Sequence, residues 1–185
     1  MKLIATNISN LTDARFFAAY MPELLVMPEV HGENLSEMMT WFDQVRPWIE
    51  GPSWAIAISE NTTPGDLQII ADHGIDTVVY EGTVQGFLRP SEMKIYLKGS
   101  IQDVNEWQTF SEPMEGLILL DYQIGQTIPA HIPAEIYLHL SAQADHIVDA
   151  ANHHKITGIA VEGGAEEKVG LKSYEQIIDL LDTIL

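Results

Sequence analysis

Eight short runs of almost unbroken apolar residues punctuate this chain: LIAT (3–6), ELLVM (23–27), WAIAIS (54–59), DTVVY (76–80), KIYLK (94–98), GLILLD (116–121), EIYLHL (135–140) and GIAVE (158–162). A strand with one wet face alternates apolar and polar residues. These runs do not alternate, as expected of parallel strands covered on both faces.

Helix signals lie between most of the runs. Asn10 with Asp13 precedes LTDARFFAAY, Asn34 with Glu37 precedes SEMMTWFDQV, Thr63 with Pro64 and Asp66 opens DLQIIADHG, and Ser173 with Gln176 opens YEQIIDLLDTIL. Each pairs an N-cap side chain with an acid or amide three residues on. Gly74 after His73 reads as a helix stop, and SAQADHIVDAANHH (141–154) carries apolar residues at helical spacing. The connections TVQGFLRPSE and YQIGQTIPAHIPA are rich in Pro and Gly and support at most a short helical turn. Eight strands with roughly six helices predict an α/β chain folded as a compact (β/α)8 TIM barrel, 1–185 forming a single domain. An open doubly wound sheet is the alternative. At 185 residues the chain falls below the size of most such barrels, so some helices or loops must be shortened.

Charge excludes several functions. Twenty-seven acidic residues face 9 Lys and Arg, a net charge of -18. No basic patch is dense enough to bind nucleic acid, and anionic membrane surfaces should repel the chain. The N-terminal MKLIATNIS is too short in its apolar part for a signal peptide, and no apolar run approaches a membrane-spanning length. A cytoplasmic protein is expected. The absence of cysteine removes disulfides, thiolate metal sites and cysteine nucleophiles together.

In a barrel the site lies at the C-terminal ends of the strands. At or next to the ends of the runs stand Thr6, Met27, Ser59, Glu81, Lys98, Asp121, His139 and Glu162. Asp121, at the end of an apolar strand and in phase with Leu117 and Leu119, is a candidate general acid or base, or else a cap for the next turn. His139 could act as a ligand or acid–base group, or be a hydrogen-bonded histidine at the edge of the core. If Glu81, Asp121 and His139 converged they could hold a divalent cation, but nothing in their spacing requires it. Neither metal nor cofactor is expected. Lys98 could meet an anionic ligand or a neighbouring strand-end carboxylate, and the abundance of acids favours the carboxylate. His153 and His154, followed by Lys155, suit a helix C-terminus. Trp41 and Trp48 flank Arg46 and fit either an interface or the core.

VEGGAEEKVGLKSYEQI (161–177) has the order strand, glycine pair, helix, which often cradles phosphate. With ISNLTDA (8–14) and GLILLD (116–121), it resembles the phosphoribosylanthranilate isomerase family, and the unit order extends the likeness along the chain. The resemblance implies a (β/α)8 barrel that opens a phosphorylated aminoribose to an aminoketose by an Amadori-type rearrangement, in tryptophan biosynthesis and without cofactor. It implies that Asp121 is the general acid and that Gly163 and Gly164 bind phosphate, Lys98 being a further candidate contact for the substrate. The ligand would be a small phosphorylated sugar; the oligomeric state is left open.

The chain departs from that pattern. Where the family has a cysteine base stands Thr6, whose hydroxyl has no pKa suited to proton abstraction. The loop PEVHGENLSE (28–37) lacks the family's arginine, His139-Leu140-Ser141 replaces a glycine pair, YQIGQT (122–127) replaces a glycine-rich loop, and Glu162 adjoins the remaining glycines. Three functions follow as expectations: an isomerase in which Glu81 or another carboxylate replaces the base, a barrel without catalysis serving as a binding or scaffold protein, or an enzyme of different chemistry using the strand-end Glu81, Lys98, Asp121 and His139.

Overall fold

All eight apolar runs are strands: β1 (Lys2–Thr6), β2 (Leu24–Met27), β3 (Ser53–Ile58), β4 (Thr77–Glu81), β5 (Lys94–Gly99), β6 (Gly116–Leu119), β7 (Glu135–Leu140) and β8 (Gly158–Glu162). The computed structural model describes residues 1–83, 87, 92–103, 113–120, 122, 134–140, 156–163 and 174–184. Each strand pairs in parallel with the next, and β8 returns to β1 through a ladder running from Lys2↔Gly158 to Thr6↔Glu162. That ladder closes the barrel and rules out the open sheet, which would have left two unpaired edges.

The described helices are α1 (Leu11–Ala18), α2 (Glu33–Val45), α3 (Pro64–Asp72) and α4 (Glu175–Ile184), with a 3-10 turn at Arg46–Trp48. Asn10 caps α1 by accepting the Asp13 N–H at 2.8 Å. Thr63 and Asp66 form a reciprocal capping box on α3. The Thr63 N–H, and then its side chain, holds the Asp66 carboxyl below its usual range despite burial. Ser100 and Asp103 cap one another where a helical segment begins after β5. One expected cap is displaced: α2 starts at Glu33 with Gly32 at its N-cap, so Asn34 lies inside the first turn. Gly32 has φ 58 and ψ -128, a conformation open to glycine, and the helix thereby begins earlier than the side-chain pattern predicts. Gly74 ends α3 at φ 78, as a helix stop should. Ser173 and residues 141–154 lie outside the described residues. Among the described residues no helix is long and apolar enough to cross a membrane.

Alternation along each strand separates two apolar layers. Phe17, Phe42, Trp54, Ile70, Leu117, Leu119 and Leu181 belong to the layer outside the barrel wall, while Ile4, Val26, Val79, Ile118 and Ala160 fill the interior. Trp41 packs edge-on against Trp54, with ring centroids 6.1 Å apart, and is partly buried; Trp48 is 70% exposed. Of that pair only Trp48 presents a free surface.

The barrel floor is closed by two tyrosines beside two glycines. Tyr96 is in register with Gly116, and Tyr137 with Gly158, so each ring occupies the space that a neighbouring side chain would need. The buried Tyr137 hydroxyl bonds to Glu23 and lies 2.7 Å from Glu135 Oε2; Lys2 Nζ joins the same carboxylates at 3.2 and 2.6 Å. Burial pushes the Tyr96 and Tyr137 hydroxyls well above the usual phenol range, so both stay protonated.

Burial opposes ionisation of Glu135, but hydrogen bonds from Lys2 and Tyr137 outweigh it and lower its pKa. A folded pKa below the unfolded one contributes stability that is full above the ordinary carboxylate range, roughly pH 4–5, and is lost as pH falls through the folded value. Thermal midpoints should therefore drop on acidification from about pH 5 towards 3. Glu135→Gln should flatten that slope, measured as the melting temperature against pH.

Candidate active site at the barrel mouth

The interior phase set by Ile4, Val79, Tyr96, Tyr137 and Ala160 continues, two residues on, to Thr6, Glu81, Lys98, His139 and Glu162. These five therefore converge on the mouth at the C-terminal end of the barrel. Among the described residues the mouth holds a cavity of about 190 Å3, lined by Thr6, Asn7, Val26, Met27, Pro28, Glu29, Ala57, Ile58, Val79, Glu81, Lys98 and Glu162. Its deeper wall is apolar and its rim carries charge.

The rim side chains are paired. Lys98 Nζ lies 2.9 Å from Glu81 Oε2, across the neighbouring strands β4 and β5. Glu29 accepts from the Ser59 hydroxyl, and His31 Nε2 lies 2.9 Å from the same Glu29 oxygen. Asn7 Nδ2 donates to Glu162 Oε1 at 3.2 Å, while Glu162 Oε2 faces His139 Nε2 at 4.0 Å. The buried Thr6 hydroxyl donates to the Val161 carbonyl at 3.4 Å, a bond that ties it to the barrel wall. Among the described residues, three carboxylates and one ammonium line the cavity, and that ammonium already faces a carboxylate. Among the described residues no group of three His, Cys, Asp or Glu is arranged to hold a metal.

Gly163 follows β8, and its N–H donates to the Thr6 carbonyl at 2.7 Å, extending the wall. A Cβ there would stand 2.9 Å from Asp13 Oδ2 and 3.1 Å from the Asn7 carbonyl. Asp13 cannot easily retreat. It is fully buried, bonded by Asn10 Nδ2 at 2.9 Å and by the Tyr174 hydroxyl at 2.5 Å, and Tyr174 stacks on Phe16 with ring centroids 3.8 Å apart. Close packing between α1 and the start of α4 is thus reason enough for a glycine here. Gly163→Ala should lower stability by about 1–3 kcal/mol, read from denaturant unfolding.

Asp121 and Gly164 lie outside the described residues, as do His153 and His154. In β6 the residue facing the interior is Ile118, whereas Leu117 and Leu119 belong to the outer layer. Sequence reasoning missed Asn7, Glu29 and His31. Asn7 has φ 58, and asparagine is among the few non-glycine residues that accept this conformation, so an Asn directly after a strand-end Thr was a usable signal. Nothing local announced the Glu29–Ser59 contact, which joins residues 30 apart.

No family model matches the chain, and no curated protein matches it. Solved structures do. Phosphoribosyl anthranilate isomerase from Thermotoga maritima is similar with a TM-score of 0.65 at 14% identity, over 100% of both chains. A phosphoribosyl anthranilate isomerase in complex with reduced 1-(o-carboxyphenylamino)-1-deoxyribulose 5-phosphate gives 0.65 at 12% identity, over 98% of this chain and 97% of that one. A HpcH/Hpal aldolase/citrate lyase family protein from Burkholderia cenocepacia J2315 gives 0.60 at 10% identity, over 88% of both chains. At such identities the likeness is one of fold. The chain is a (β/α)8 barrel.

Proposed function

We propose that this chain is an enzyme built on a phosphoribosylanthranilate isomerase-like scaffold, whose strand-end Glu81, Lys98, His139 and Glu162 act on a small molecule that carries no phosphate. The charge at the mouth carries this reading. Among the described residues, Glu29, Glu81 and Glu162 line the cavity against a single ammonium, Lys98, which is 2.9 Å from Glu81. A phosphate brings close to two negative charges, and each unit charge held about 4 Å from a carboxylate costs on the order of 4 kcal/mol at an effective dielectric near 20. A charge-assisted hydrogen bond returns roughly 1.5–3 kcal/mol, and the Gly163 N–H is already given to Thr6. The balance is against the anion. Paired polar groups at strand ends, above an apolar wall, instead suit a neutral polyhydroxy compound.

The test is an activity assay with phosphoribosylanthranilate on the native chain and on Thr6→Cys, which restores the family's base. Neither should turn over, because the anion site is not rebuilt. Turnover by either would sink the proposal.

One observation favours a second reading, in which isomerase chemistry persists. Thr6 and Glu162 are register partners on β1 and β8, so a carboxylate stands beside the position of the lost base. In that case Asp121 is the acid and Glu162 the base, and both Asp121→Asn and Glu162→Gln abolish turnover of the same substrate.

A further inference from the structure

Lys98 and Glu81 form an ammonium–carboxylate pair that lines a cavity. Lys98 has 22% of its side chain exposed there, and its Nζ lies 2.9 Å from Glu81 Oε2. Two further lysines among the described residues are placed differently: Lys2 is 43% exposed and pairs with Glu23 and Glu135, and Lys94 is 58% exposed and lies 3.7 Å from Asp76. Neither lines the mouth cavity. The contact that keeps Lys98 from an incoming anion is the one a carbonyl compound needs. An anion must displace Glu81 from the ammonium. A carbonyl carbon must instead meet a neutral amine, so a proton has to leave Nζ, and Glu81 Oε2 stands within the roughly 2.6–3.2 Å over which a base takes a proton. Glu81 is 51% exposed, so that proton can also exchange with water. In the cavity lining, Ala57 and Val79 give a short carbon chain an apolar wall, and Glu29 and Glu162 offer acceptors for its hydroxyls.

We propose that Lys98 is a Schiff-base lysine, with Glu81 its proton carrier, and that it captures small unphosphorylated hydroxyaldehydes or hydroxyketones in their open-chain form. This rests on the unphosphorylated-substrate reading above. Glu81 takes one proton from the ammonium, and the Nζ lone pair forms a bond to the carbonyl carbon while the carbonyl π pair moves to oxygen. Nζ then loses a second proton and the oxygen gains one, which gives a neutral carbinolamine. Glu81 gives its proton to that hydroxyl, the carbon–oxygen bond breaks, water leaves, and the nitrogen lone pair closes the carbon–nitrogen double bond. The three N–H hydrogens of the ammonium become one N–H and a water, with no oxidant or reductant. The iminium carries the same charge as the ammonium it replaces, so Glu81 balances it at the end as at the start. Lysine is the side chain suited to this bond, because its amine can both lose a proton and add to a carbonyl.

The experiment incubates the full chain with glyceraldehyde, dihydroxyacetone or glyceraldehyde 3-phosphate in the presence of sodium cyanoborohydride, which reduces an iminium to a stable secondary amine, and follows each lysine by peptide mass mapping. Lys98 should gain the carbonyl compound less one oxygen at least about 10-fold faster than Lys2 and Lys94, and faster with glyceraldehyde than with its phosphate. Glu81→Gln, its folding checked by the melting temperature, should slow labelling of Lys98 by at least about 10-fold and leave Lys2 and Lys94 unchanged. Labelling of Lys98 no faster than that of Lys2 and Lys94 overturns the Schiff base, as does unchanged or faster labelling of Lys98 in Glu81→Gln. Preferential labelling of Lys98 that is faster with glyceraldehyde 3-phosphate than with glyceraldehyde leaves the Schiff base standing and overturns the unphosphorylated-substrate reading.

Discussion

Gly158→Ala is expected to prevent the barrel from closing properly. The added Cβ would stand 2.3 Å from the Lys2 carbonyl oxygen, 2.8 Å from its carbon and 2.9 Å from Tyr137 Cδ1. Two of these atoms are backbone, in the β8–β1 ladder that joins the ends of the sheet, and the third belongs to a fully buried ring. No flexible side-chain end can yield, so the strands must separate. The cost should reach about 3 kcal/mol or more, which in a domain of this size lowers the melting temperature by roughly 6–12 °C. Gly65→Ala is the natural control. Gly65 lies in α3, and among the described residues its added Cβ would meet only Thr63 Oγ1, at an ordinary 3.6 Å. That substitution should be neutral or stabilising by up to about 1 kcal/mol. A calorimetric scan of both variants checks the contrast.

Tyr137→Ala should be as damaging by the opposite route. The ring is fully buried between the interior wall and Tyr96, whose centroid is 6.2 Å away, and its removal opens a cavity in the barrel floor. Truncating a buried aromatic typically costs about 3–5 kcal/mol. Tyr137→Phe divides that loss into its parts. It keeps the packing but takes the hydroxyl from Glu23 and Glu135, leaving Lys2 as their remaining donor among the described contacts, for a loss of about 1–3 kcal/mol. Urea unfolding should show the midpoint falling in the order native, Phe, Ala at a constant slope. Equal losses for Phe and Ala would mean that the hydroxyl, not the ring, seals the floor.

These two sites show what the sequence could and could not convey. The strands were legible because a parallel barrel hides both faces of each one, which leaves continuous apolar runs such as GIAVE and KIYLK in plain sight. Asn10 and Thr63 were legible as caps because capping is a local bond between residues three apart. Closure followed from the count of eight strands, but its register did not, since the pairing of β1 with β8 joins residues over 150 apart in sequence. The same holds for the floor: Tyr137 beside Gly158 is a cross-strand fit that no window of sequence contains.

At the mouth, the convergence of Thr6, Glu81, Lys98 and Glu162 on one cavity could be anticipated from strand ends and a period of two. Their partners could not. Asn7 on Glu162, and Ser59 on Glu29, depend on how loops fold over the rim. Gly163 illustrates the hazard of reading a motif alone, because its close approach to buried Asp13 accounts for a glycine without any phosphate.

The most direct measurement is a calorimetric titration of the native chain with reduced 1-(o-carboxyphenylamino)-1-deoxyribulose 5-phosphate, the ligand held by one of the similar isomerase structures, at neutral pH and moderate salt. With three carboxylates around the cavity and Lys98 held by Glu81, no binding should be detected. Micromolar binding would contradict the account, showing that the mouth still accepts a phosphorylated sugar despite Glu162.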